Sequence, residues 1–62
     1  TMWDQPGFAV VSDVVLGTES LPVVRAFELT EGDAKSEEGR LTALLPEHLR
    51  VNLRILHATL TF

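Results

Sequence analysis

The segment Phe8 to Leu16, FAVVSDVVL, offers no polar face to water. Phe8, Val10, Val14 and Leu16 share one parity, and Ala9, Val11 and Val15 share the other. Valine is stiff at its first side-chain torsion and fits a pleated surface better than a helix, so the segment predicts a strand. A strand apolar on both faces belongs at the centre of a sheet with cover on both sides. That demand falls on a chain of 62 residues, read as a single small domain over 1–62. So short a chain is marginally stable by itself, and the usual supplements are disulfides, a structural metal or a partner subunit. There is no cysteine, which excludes disulfides and thiolate metal sites and leaves burial by a partner. The 45% hydrophobic content, rich for a domain this small, points the same way.

Pro6-Gly7, Gly17 to Ser20, Thr30 to Gly39 and Pro46 to His48 divide the rest of the chain. Leu21 to Thr30 predicts a second strand, with Leu21, Val23, Phe27 and Leu29 on one parity and Arg25 interrupting them. Pro22 near its start suits an edge position. The polar stretch TEGDAKSEEG (Thr30 to Gly39) reads as a long hairpin loop, and Arg40 to Leu45 as a third strand. Leu49 to Ile55 alternates apolar and polar, and Leu56 to Phe62 alternates again with the parity reversed. Two alternations joined by an apolar pair predict one long strand with a β-bulge at Ile55-Leu56. A helical alternative exists, since Leu41, Leu45, Leu49, Leu53, Leu56 and Leu60 fall near helical spacing. Against it, Pro46 would lie inside that helix, and Val51, Ile55, Ala58 and Phe62 would make a second apolar face. The expectation is a mainly β fold. It is a small antiparallel sheet or open barrel of about four strands, with one short helical turn near residues 46–49.

Nine carboxylates against five Lys and Arg give a net charge of −4. Such a chain lacks the basic field behind most non-specific nucleic-acid affinity, and it lacks a polybasic patch for anionic lipid. Its longest apolar run, Phe8 to Val11, is far short of a membrane span. Thr1-Met2-Trp3-Asp4 does not open a signal peptide, so a cytoplasmic location is the default expectation.

Few residues suggest chemistry. His48 and His57 are nine apart and match no local zinc pattern; both read as surface histidines. Asp13 sits among valines, where a carboxylate is costly unless it is paired or reaches solvent. A pairing with an arginine such as Arg25 is one expectation, a bulge another. Glu28, Glu31, Asp33, Glu37 and Glu38 cluster without the order of a calcium loop. Arg50, Asn52 and Arg54 share one face of the last strand, but no aromatic interleaves with them as a nucleic-acid stripe needs. No nucleophile elbow, phosphate loop or dinucleotide motif is present. Thr1 is set aside as an N-terminal nucleophile. No catalytic, metal or cofactor site is expected.

The composition therefore favours an interaction or assembly module that self-associates or docks on a larger protein. Phe8, Val10, Val14, Leu56, Leu60 and Phe62 are its expected interface. A ligand-binding or regulatory small subunit of an enzyme, built around Asp13, His48 or His57, is the alternative. A single-strand nucleic-acid-binding small barrel is the third reading, disfavoured by the charge.

Overall fold

The computed structural model describes residues 3–62. They form a strand β1 (Asp4–Leu16), a strand β2 (Glu19–Glu28), a helix α1 (Glu31–Leu44), a 3-10 turn (Glu47–Leu49) and a strand β3 (Val51–Thr61). The fold is mainly β, with the strands in one open antiparallel sheet of order β2-β1-β3. The two-sided valine segment is thus the central strand. β2, with Pro22, lies at an edge, where a missing N–H does no harm. Gly17, at φ 63, closes the tight turn from β1 to β2 in a conformation that costs glycine little.

Three strands form among the described residues, not four, and the sheet does not close into a barrel. The polar stretch from Thr30 is not a hairpin loop, and Arg40 to Leu45 is not a strand; together they make α1. The cause is local. The Thr30 hydroxyl accepts a hydrogen bond from the Asp33 N–H at 3.1 Å, and Glu31 and Asp33 place negative charge in the first turn. Lys35 and Glu31 pair one turn apart, as do Arg40 and Glu37. Ala34 and Leu41, two turns apart, face the sheet, with Leu45 just beyond. The spacing Leu41, Ala43, Leu45 looked like strand alternation because a helix also brings Leu41 and Leu45 to one side.

The core lies between α1 and one sheet face. Val10 and Ala34 are fully buried there, Leu41 nearly so, and Phe8, Ala26, Leu45, Leu53 and Ile55 pack around them. Two irregularities bend the sheet. Arg25 is an extra residue of β2, since Val10 pairs with Ala26 and Val11 with Val24. β3 carries one more residue than β1 between the pairs Val11–Arg54 and Asp13–Val51. Asn52 lies in that second bulge at φ 53, a left-handed conformation that asparagine tolerates better than most residues.

The bulge expected at Ile55-Leu56 is not there; β3 pairs with β1 in unbroken register from Arg54 to Thr61. The parity reversal has a different meaning. Leu53 and Ile55 face α1, whereas Leu56, Ala58 and Leu60 face away from it. The bulge at Arg25 likewise puts Phe27 on the face opposite Leu21 and Val23, which the plain parity had grouped together. The short helical turn after Pro46 is present, at Glu47–Leu49.

Gly39 sits exposed within α1 with open space around a Cβ. Gly39→Ala is expected to raise stability by about 0.5–1 kcal/mol. Leu41→Ala is expected to lower it by about 2–4 kcal/mol, because it empties the contact that seats the helix. Urea unfolding of the two variants checks both.

Candidate functional site

Cross-strand partners share a sheet face, so the register shows what lies opposite α1. Ala9 pairs with Phe27 and Leu56, Val11 with Val24 and Arg54, Gly7 with Ala58, and Gln5 with Leu60. Between Gln5 and Arg54 this face is apolar, and no element among the described residues covers it. Val24 is 62% exposed, Leu56 44% and Leu60 43%. Ala9 and Val11 are each 4% exposed on the same face, lying between the larger side chains of the flanking strands. The Phe27 ring folds over Gly7, where an added Cβ would meet it at 2.5 Å and the Glu28 carbonyl oxygen at 2.6 Å. Glycine at position 7 thus lets the ring lie flat against the central strand.

The molecule is flat. The chain measures 37 × 25 × 13 Å, and its radius of gyration is 12.5 Å. A compact chain of this length would have a radius of gyration of about 10.5 Å.

Polar groups bound this face at one end. Asp13 accepts hydrogen bonds from Arg54 at 3.0 Å and from Asn52 at 3.3 Å, and Arg54 also donates to the Asn52 carbonyl at 2.8 Å. The bond from Arg54 holds the Asp13 carboxyl below its ordinary value; partial burial opposes this, and Asn52 adds to it. Asp13 is therefore paired, as a carboxylate among valines requires, but with Arg54 instead of Arg25. Arg25 donates to the Ser12 hydroxyl at 2.8 Å on the helix side, and Ser12 donates to the Leu49 carbonyl at 2.6 Å. Arg50 donates to the Thr42 carbonyl at 3.0 Å, so Arg50, Asn52 and Arg54 do not form one basic stripe.

The structure separates the other candidates. Asp13 and His57 occupy opposite sheet faces; His57 is exposed beside the Phe8 ring at 4.9 Å between centroids. His48 stands exposed in the 3-10 turn. Of the expected interface, Leu56, Leu60 and Phe62 are exposed. Val10 is fully buried beneath α1 and belongs to the core. Phe8 packs against that core, and Val14, half-buried, pairs with Leu21 toward the hairpin turn. Val24 and Phe27 were hidden from sequence reasoning by the bulge at Arg25; the odd parity of Ala9 and Val11 was the signal that pointed to this face. Thr1 lies outside the described residues. Among the described residues no pocket opens, and no three His, Cys, Asp or Glu side chains converge as a metal site.

Because the Asp13 carboxyl titrates lower in the folded chain than in the unfolded one, it stabilises the fold above an ordinary aspartate value. That stability is lost as pH falls through the lowered folded value. Asp13→Asn is expected to melt below the parent at pH 7. The gap should begin to close as pH falls below about 4 and vanish only once pH has passed the lowered folded value, which paired thermal melts will show.

No protein family, no curated protein and no solved structure matches the chain.

Proposed function

We propose that this chain is a protein-protein assembly module that works through its uncovered sheet face, first of all by self-association. The observation that carries the reading is the pairing of a central strand apolar on both sides with a single covering layer. Val24, Phe27, Leu56 and Leu60 stand together on the uncovered side by register. Val24, Leu56 and Leu60 hold apolar surface against water, and covering it by a partner releases that water. The Asp13–Arg54–Asn52 cluster supplies a polar rim at one end, which limits where a partner can sit.

The absence of a pocket among the described residues, with Asp13 and His57 on opposite faces, gives the ligand-binding alternative no supporting geometry. The dispersal of Arg50, Asn52 and Arg54 does the same for nucleic acid.

Amide spectra recorded from about 10 µM to about 1 mM span weak to moderate self-association. Concentration-dependent shifts are expected at Val24, Phe27, Leu56 and Leu60, with a rising mass by light scattering. Val24→Lys places a charge on the patch at a site already 62% exposed, so folding should survive while association weakens at least about tenfold. Flat spectra and a mass fixed at 6.8 kDa across the series would overturn the reading.

A further inference from the structure

The two free edges of the sheet are built differently. The β2 edge is interrupted by Pro22 and by the bulge at Arg25, and carboxylates stand at both ends, Glu19 and Glu28. Proline, bulges and charges are the devices that stop an edge strand from pairing with another chain. The β3 edge has none of them beyond its first turn of chain. Its bulge is confined to the start, at Asn52, and its one charge, Arg54, is turned onto Asp13 and the Asn52 carbonyl. From Ile55 to Phe62 there is no proline, no carboxylate and no Lys or Arg. Indeed, none of the nine carboxylates lies beyond Glu47, so the last fifteen residues are the least acidic part of a chain with net charge −4.

The hydrogen-bond phase of this edge is fixed. Phe62 donates its N–H to the Trp3 carbonyl at 3.1 Å. Carried along the unbroken register, this turns the backbone groups of Leu60, Ala58 and Leu56 inward to β1. Those of Ile55, His57, Thr59 and Thr61 point outward, away from the sheet.

We propose that a second copy of this chain pairs antiparallel with the β3 edge about a two-fold axis at Ala58, making one six-stranded sheet. The proposal rests on the assembly reading above and names the partner and the contact. Partners directly opposite must share a face, so the axis falls on a residue. At Ala58 it sets Leu56 against Leu60 of the second copy on the uncovered face, and His57 against Thr59 on the other. All four outward residues then find one another, Ile55 with Thr61 and His57 with Thr59, giving about eight new backbone hydrogen bonds. No like charges meet. Edge pairing leaves the apolar face uncovered and makes it continuous across both copies, so it adds to face-to-face association without replacing it.

Two variants test the pairing, each read by light scattering on a sizing column. Thr59→Pro removes an outward N–H that the chain does not use internally. It should keep the parent's circular dichroism and melting temperature while raising the dimer dissociation constant at least about a hundredfold. Ala58→Cys, the only cysteine in the variant, should form a disulfide-linked dimer within minutes of mild oxidation, because non-hydrogen-bonded opposite residues approach to about 4.5 Å between Cα atoms. His57→Cys should not. In a Val24→Lys background, which removes the face contact, a Thr59→Pro variant that folds and stays dimeric overturns the proposal, as does cross-linking at position 57 in preference to 58. If Val24→Lys then lowers the mass and Thr59→Pro does not, the face reading stands alone; a parent that is monomeric throughout removes both.

Discussion

The sheet turns on Ser12. Its hydroxyl is fully buried, accepts from Arg25 and donates to the Leu49 carbonyl. One side chain of the central strand thereby holds an edge strand and the 3-10 turn that launches β3. The β3 bulge around Asn52 lies opposite it, and the β2 bulge at Arg25 lies just before it, between the levels of Val10 and Val11. Each adds local twist, and Val10, Ala26 and Leu53, which border or lie in the bulges, pack into the core beneath α1. An apolar residue at position 12 would strip the part-buried Arg25 Nε and the Leu49 carbonyl of these partners, which costs more than the hydroxyl itself contributes.

Much of this was legible in the residues. The valine segment announced a central strand, Pro22 an edge, Pro46 a turn, and the alternation from Leu49 onward a long last strand. The helix was missed because its interior-facing stripe is thin. Only Ala34, Leu41 and Leu45 carry it, Glu37 and Glu38 occupy the turn between, and Gly32 and Gly39 weaken it further. The readable sign was at its start, where Thr30-Glu31-Gly32-Asp33 has the spacing of a capped N-terminus. The faces of the sheet were harder. A bulge reverses parity, and neither the Arg25 nor the Asn52 bulge leaves a mark that composition alone would reveal. The Asp13–Arg54 pair is likewise a product of topology, since it joins residues 41 apart through the β1–β3 pairing.

Two surfaces with different physics come out of one small fold. The uncovered face is non-directional: any association it drove would come from the release of water and scale with area. The β3 edge is directional: its backbone groups accept a partner only in register. A chain with net charge −4 resists random crowding of its copies, and its carboxylates lie mostly on and around α1 and the hairpin ends. In the proposed assembly, repulsion on one side and self-complementary pairing on the other would favour order over amorphous association.

The strand order also has a meaning in time. β1 meets β2 through a two-residue turn, but it meets β3 only by bringing Asp4 beside Thr61, 57 residues away. During synthesis, the hairpin and then the helix leave the ribosome before the strand that completes the sheet. Throughout that interval the second edge of the most apolar strand has no neighbour. The loop that must close is long, so closure is slow compared with hairpin or helix formation. The helix made in between is acidic, capped at its start by Thr30 and laced by two local ion pairs. Its polar surface, which hid it from the sequence pattern, is what a nascent chain needs while its valines wait for their last partner.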